Sequence, residues 1–469
     1  MRNQYFFLGI SILAPFSFLK AEIRLPSILG NHMVLQQNSM VKIWGWSAPA
    51  EKIFILTSWN NKLDSTVGTR DANFSITIQT PAAGGPYTIS LNGENRIVLQ
   101  DIMIGEIWIC SGQSNMEWGY RQGLKDIQDE LSTCSNSSIR FFNIQKSTAD
   151  YPQENCPGDW AICDSNSLKA FSAIGYFFGK KLNAELHVPI GLINDNWGGT
   201  PAEVWTPLHV ITDNPKLEES ARQLKAYNWW PYLPGKTYNA MIAPITNFPI
   251  AGALWYQGEG NTVYPYAYSE LLNAMVDSWR KAWGKNFPFY YVQIAPFHYG
   301  NHNVGALIRE EQTRSMNHGG MGMVVISDLV DDTTNIHPKN KKDPALRLAA
   351  WALADTYHRE GIHYKNPIYK SISIAKGKAI IEFDSDKSDL MARDKKITEL
   401  FIAGTDKVFY PAEASIDHDR LIVWSNQVPN PVAVRYEFSN AGIGNLFNKN
   451  GLPVGPFRTD NWEIDVSAN

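Results

Sequence analysis

Ile102-Met-Ile-Gly-Glu-Ile-Trp-Ile-Cys-Ser-Gly-Gln-Ser-Asn-Met116 is the stretch on which the fold turns. Ile102 to Ile109 is an apolar run of the kind found in a strand covered on both faces. At Ile107-Trp-Ile-Cys110 the strand runs into Ser-Gly-Gln-Ser-Asn, a strand–turn passage that lifts a hydroxyl above a sheet edge. A serine starting a helix lies in the positive end of the helix dipole, where free backbone N–H groups can hold an oxyanion. Ser114 is therefore a candidate nucleophile, and the competing role is an ordinary helix N-cap.

Outward from that strand, the middle of the chain alternates strands with helices. Ile190-Gly-Leu-Ile193, Ala251-Gly-Ala-Leu-Trp-Tyr256, Phe289-Tyr-Tyr-Val-Gln-Ile294 and Met323-Val-Val-Ile326 read as short buried strands. Ser172 to Leu186, Tyr268 to Trp283 and Pro344 to His358 have helical apolar spacing. This pattern predicts an α/β core with a parallel sheet and helices on both faces. Open α/β sheets carry their sites at the strand ends, where several polar, Gly-rich loops occur here.

Both flanks are β-rich. Met40–Trp46, Ile53–Thr57, Phe74–Ile78 and Tyr87–Leu91 are short β-branched or aromatic runs at sandwich-like spacing. From about residue 365 the pattern returns, in Ser371–Ile374, Ala379–Phe383, Leu400–Ala403, Arg420–Trp424 and Ala433–Phe438. We therefore divide the chain into an export signal at 1–21, an N-terminal β-sandwich-like domain at 22–100, a catalytic domain at 101–362 and a C-terminal β-rich module at 363–469. The 469 residues exceed what one core holds, since single cores stop growing near roughly 250–300 residues.

Composition narrows the partners. A net charge of −4 gives no electrostatic reason to expect nucleic acid or an anionic membrane. Sixteen Trp and twenty Tyr supply flat faces that suit sugar rings as well as cores. Arg2 followed by the apolar stretch Tyr5 to Leu19 predicts a secretory signal and a periplasmic or extracellular product, and no later segment is apolar enough to span a bilayer. In an exported chain the four cysteines (Cys110, Cys134, Cys156 and Cys163) allow three full connectivities. Cys156 with Cys163, bracketing a short loop, is the favoured pair. Cys110 equally suits a free packed thiol, and no metal-ligand spacing is present.

A serine hydroxyl needs a base at neutral pH. His337 follows the Met323–Ile326 strand in the acidic loop Asp331-Asp-Thr-Thr-Asn-Ile-His-Pro338 and is the candidate, while His298 and His302 lie in a separate loop that also follows a strand. Asn196-Trp-Gly-Gly-Thr200 and Gln257-Gly-Glu-Gly-Asn261 offer backbone and amide donors for an oxyanion. Glu259 invites a glycosidase reading, but that chemistry needs a second carboxylate at a defined separation. None is convincing, so Glu259 is read as bracing its loop or as part of a polar network.

Gly112-Gln-Ser-Asn-Met116, Asn196-Trp-Gly-Gly-Thr200, Trp255-Tyr-Gln-Gly-Glu259 and Asn335-Ile-His-Pro338 together resemble the sialate O-acetylesterase family of the SGNH-hydrolase superfamily. Met33–Gln36, Ile104–Trp108, Arg309-Glu-Glu-Gln312, Val434–Tyr436 and Leu452–Phe457 extend the resemblance over nearly the whole mature chain. It implies a flavodoxin-like core that hydrolyses acetyl esters of sialic acid, 9-O-acetyl foremost, with no metal or cofactor. It also implies Ser114 as nucleophile and His337 as base. The oxyanion hole would be the Ser114 N–H, a Gly198 or Gly199 N–H and an amide from Gln257 or Asn261. Gln113, Trp197, Glu259 and Arg309 would meet the substrate, with Arg309 or Arg121 as the clamp for a sialic acid carboxylate.

One departure matters. The family often carries Asp two positions before the histidine, and Asn335 stands here, unable to supply a negative charge to an imidazolium. Asp331 or Asp332 reaches back, or the more distant Asp328 serves, or a backbone carbonyl orients a Ser–His dyad. The dyad is slightly favoured, because esters leave more easily than amides. An esterase for acetylated xylan or another polysaccharide is the alternative within enzymes, and a non-catalytic carbohydrate-binding protein the alternative outside them.

Overall fold

The computed structural model describes residues 22–384 and 389–467, so the export segment read at residues 1–21 lies outside the described residues. The first strands are Val34–Gln36 (β1), Met40–Trp46 (β2), Lys52–Thr57 (β3), Leu63–Val67 (β4), Asn73–Gln79 (β5) and Gly84–Asn92 (β6). After them comes the 17-residue strand Arg96–Gly112 (β7). Asn136–Asn143 (β8), Trp160–Cys163 (β9), Ile190–Asn196 (β10), Gly252–Tyr256 (β11), Phe289–Val292 (β12) and Met321–Val324 (β13) complete the central set.

β7 belongs to two structures at once. Its first half, up to Ile104, pairs antiparallel with β6, which continues through β3 to β4. β2 and β5 pair with each other, giving the N-terminal module its second layer. Alternation along β3 shows why: Ile53, Ile55 and Thr57 are buried while Lys52, Phe54 and Leu56 face out. From Glu106 onward β7 runs parallel to β10, and from Trp108 parallel to β11. The boundary read at 100/101 therefore falls inside one continuous strand. The N-terminal module is built directly onto the catalytic sheet, with no linker at which to divide them.

The parallel core runs β13-β12-β11-β7-β10-β8, with β9 antiparallel at its edge. β8 lies outside β10, so β7 is flanked by β10 and β11 in the middle of the sheet. Adjacent positions face opposite ways. Ile107, Ile109 and Trp255 pack with Leu271, Met275 and Trp279 of the helix Tyr268–Trp283. Trp108, Cys110 and Leu254 pack with the helices Ala173–Leu186 and Lys342–Trp351 on the other face. Covering both faces explains the unbroken apolar run in β7.

The helix Tyr268–Trp283 has the predicted bounds, and Ser172 caps the helix Ala173–Leu186 by accepting from Gly175 N–H. The last helix starts two residues before Pro344 and ends in a wider turn, Ala352–Thr356. The C-terminal module follows from Ile368, and its described residues form two four-stranded antiparallel sheets and a two-stranded one. Among the described residues, no helix is long and apolar enough to cross a membrane. All four cysteines are buried thiols, and the favoured pair is not joined. Cys156 enters the apolar cluster on one face of the sheet and Cys163 the cluster on the other, so the sheet separates them.

Candidate active site

β7 ends at Gly112, whose φ of 131° and position against β11 both require glycine: a Cβ there would meet the Tyr256 carbonyl oxygen at 2.3 Å. This close approach lets Gln113 N–H donate to the Tyr256 carbonyl (3.0 Å) and turns the chain into the single-turn helix Ser114–Glu117. Gln113 occupies the N-cap position and makes no side-chain cap bond. Ser114 is therefore not the cap. Its Oγ lies 2.8 Å from His337 Nε2, across 223 residues of sequence.

His337 stacks on Trp118, with ring centroids 4.2 Å apart and planes at 19°. Its backbone N–H donates to Asn335 Oδ1 (3.0 Å), so Asn335 shapes the loop and leaves the ring to other contacts. The three acids considered as its partner are placed elsewhere. Asp328 makes a two-pronged salt bridge to Arg347, and Asp332 accepts from Thr334 N–H and Oγ1. Asp331 is exposed. Among the described residues none accepts a hydrogen bond from His337 Nδ1. Burial, and then the charge of Lys341, pull the His337 pKa down to about 4.

Beside this pair opens a cleft of about 420 Å³, lined by Ser114, His337, Gln113, Gly198, Gly199 and Glu259 and walled by Tyr227, Trp230 and Tyr232. Tyr227 stacks on Trp230 at 4.6 Å, and Trp230 packs so tightly on Gly199 that a Cβ there would meet its ring at 2.3 Å. Trp197 does not line the cleft; its Nε1–H donates to the Trp229 carbonyl (3.1 Å) and supports the aromatic segment from behind.

The amides expected at the oxyanion are committed. Gln257 Nε2 donates to Thr200 O (3.1 Å) and Asn261 Oδ1 (2.8 Å), and Asn261 Nδ2 donates to Glu203 (2.8 Å). Neither lines the cleft, because both are drawn into the buried network under the loop. Gly198 N–H donates to Glu117 Oε2 (2.6 Å). Among the described residues nothing accepts from the Ser114 or Gly199 N–H. Gln113 Oε1 accepts from the Gly258 and Gly260 N–H groups (3.4 and 3.1 Å), and Gln113 lines the cleft together with Ser114.

Neither arginine reaches the cleft. Arg309 is 1% exposed and donates to the Ser439 and Glu437 carbonyls of the C-terminal module. Arg121 is exposed and does not line the cleft. Lys225 is the one lysine or arginine among the lining residues. His298 and His302 also stand away from it; their backbone N–H groups hold Thr333 and Ser467. Glu259 lines the cleft and accepts from Asn115 Nδ2 of the serine turn at 2.6 Å. Sequence reading missed Trp118, Lys341 and the aromatic wall. The cluster Tyr227-Asn-Trp-Trp-Pro-Tyr232 was a legible signal, whereas nothing local marked Lys341.

A serine bonded to an imidazole at the C-terminal edge of a parallel sheet, above an aromatic cleft, defines an α/β esterase. The family model for carbohydrate esterases, described as sialic acid-specific acetylesterases, matches residues 104–357, more than half of the chain. Human sialate O-acetylesterase is 26% identical over 430 residues, covering 80% of this chain and 79% of that protein. The mouse enzyme is 24% identical over 441 residues, covering 80% and 82%. A carbohydrate acetylesterase from Xanthomonas citri superposes with a TM-score of 0.86 at 35% identity, covering 94% of this chain and all of that one. The chain belongs to the sialic acid-specific acetylesterase family of carbohydrate esterases.

Proposed function

We propose that the chain removes O-acetyl groups from carbohydrates through an acetyl-enzyme formed on Ser114. The observation that carries this is the 2.8 Å contact between Ser114 Oγ and His337 Nε2. His337 takes the hydroxyl proton as Oγ attacks the acetyl carbonyl. The Ser114 and Gly199 N–H groups and Gln113 Nε2 receive the oxyanion. As the tetrahedral intermediate collapses, His337 returns the proton to the departing sugar oxygen. Water, deprotonated by His337, then releases acetate and restores the serine. With no acid among the described residues bonded to Nδ1, the pair works as a dyad, and Trp118 stacking together with the loop backbone holds the ring.

Acetylated sialic acid is the substrate that family membership and the names of the human and mouse relatives support, and the 9-O-acetyl ester is the form we put first. An acetylated neutral polysaccharide is the second reading. It is favoured by a cleft walled with Tyr227, Trp230 and Tyr232 and lacking any arginine to clamp a carboxylate. The deciding assay offers 9-O-acetyl sialic acid beside acetyl-xylan. Release of acetate from the sialoside supports the first reading, and turnover of xylan alone moves the substrate to the second. Inertness towards p-nitrophenyl acetate would overturn the esterase assignment.

A further inference from the structure

Lys341 is the group this mechanism leaves unexplained. It is 1% exposed, at the N-cap position of the helix Lys342–Trp351, where the helix dipole opposes a positive charge. A buried ammonium is costly unless something compensates it, so stability alone gives no reason for a lysine here. Its Nζ donates to Asn115 Oδ1 at 2.6 Å and lies 5.6 and 5.3 Å from the ring centroids of Trp118 and Tyr256. Trp118 is the same ring on which His337 stacks.

Asn115, next to the serine, is the junction. With its Oδ1 held by Lys341, its Nδ2 donates to Glu259 Oε1 (2.6 Å) and to the carbonyl of Ile336 (3.1 Å), the residue before His337. Both amide hydrogens and the oxygen are used, which sets the orientation of the side chain. One buried side chain thereby ties the serine turn, the histidine loop and the Glu259 loop together.

We infer that Lys341, acting through Asn115 and backed by Glu259, is the positioning residue for His337, and that its ammonium keeps the imidazole neutral and ready to act as base in acid. The usual triad acid holds the ring by attracting its positive form. Here the ring is held by backbone and stacking, and a neighbouring cation disfavours the positive form. The groups facing Lys341 are Asn115 from the serine turn, Glu259 from the loop after β11, and the Tyr256 and Trp118 rings. Those facing the imidazole are Ser114 and Trp118. The low pKa of His337 has burial as its larger cause and Lys341 as the second. The pKa of Lys341 is itself pulled down to about 7 by burial, against which Glu259 acts. The ammonium is thus charged throughout the acid range in which the base must stay free.

This inference rests on His337 being the base, and the test separates the two. kcat/KM for p-nitrophenyl acetate is measured against pH for the wild type, Lys341→Gln and Lys341→Met, with folding followed by circular dichroism. Losing a neighbouring cation raises an imidazole pKa, so the acidic limb must move to higher pH. The wild-type limb is expected well below the ordinary imidazole value of about 6.5. In Lys341→Gln, which keeps a donor for Asn115, the limb should rise by about one pH unit with KM unchanged. Lys341→Met, which loses that donor as well, should also lose roughly tenfold or more in kcat. A folded Lys341→Gln enzyme whose limb coincides with the wild type overturns the inference. A wild-type limb at or above the ordinary value overturns it even if neither variant folds. Full activity in His337→Ala would instead overturn the catalytic reading beneath it.

Discussion

Lys341 and Arg309 are both cations sealed from water and near a carboxylate, yet they belong to different parts of the molecule's business. Arg309 projects from the helix Val304–Ser315 to the carbonyls of Glu437 and Ser439, with the Glu437 carboxylate beside it, and joins the catalytic core to the C-terminal module. Lys341 reaches, through one asparagine, the backbone of the loop that carries His337. A buried charge is thus no mark of a site in itself. What separates these two is whether the hydrogen-bond path from the cation ends at the cleft or at a joint between modules. In the sequence Arg309 is a candidate clamp for a substrate carboxylate or a helix-surface ion-pair partner; in the structure it is 1% exposed and does not line the cleft.

The comparison can be broken at either end. The largest effect is expected at the cleft itself, where alanine at Ser114 or His337 should lower kcat about 10⁴-fold or more with the fold intact. Retention of more than a hundredth of the activity in a folded variant would remove that residue from the chemistry. Arg309→Met should act on the other region. Removing one partner of a buried charge cluster costs roughly 3–5 kcal/mol, so the melting temperature should drop while KM for the acetylated sugar stays put. A raised KM with an unchanged melting temperature would return Arg309 to the substrate.

A smaller effect should sharpen the picture of the cleft. Trp230→Ala removes the central ring of the aromatic wall, and a tenfold rise in KM for a sugar ester corresponds to about 1.4 kcal/mol of lost contact. On p-nitrophenyl acetate, which carries no sugar, KM should scarcely change, and an equal rise on both substrates would show that the ring only shapes the site. The least effect belongs to Asp331 and Asp332. Alanine at either should cost less than about 100-fold in kcat, well short of the ~10⁴ that a true triad acid commands. A loss of that larger size would replace the dyad with a triad formed on substrate binding.

Much of the catalytic edge was readable before the structure. The run Ile102–Met116 announces a doubly covered strand followed by a turn because burial on both faces removes the polar alternation, and Gly112 is required where β11 passes too close for a Cβ. Ser114 and His337 could be named because hydroxyl and imidazole chemistry restricts the choice. Gln257 and Asn261 are donors by type, and only the network under their loop shows what their amides bind in this structure. The change of pattern near residue 100 lies within one strand that serves two sheets, whose pairing partner changes between Ile104 and Glu106.

The sequence by itself determined the layers of this protein, its family and the serine and histidine that the proposed mechanism uses. These follow from periodicity, from backbone demands on single residues and from the chemistry of a few side-chain types, all of which act locally along the chain. Tertiary structure decided what surrounds the Ser114–His337 pair: among the described residues, no acid bonded to Nδ1, no arginine in the lining of the cleft, and a buried lysine behind the histidine. Asn115 and Lys341 are separated by 226 residues, and Ser114 and His337 by 223. Contacts of that range leave no pattern in the neighbouring sequence, because they exist only once the strands have stacked and the loops at their ends have converged.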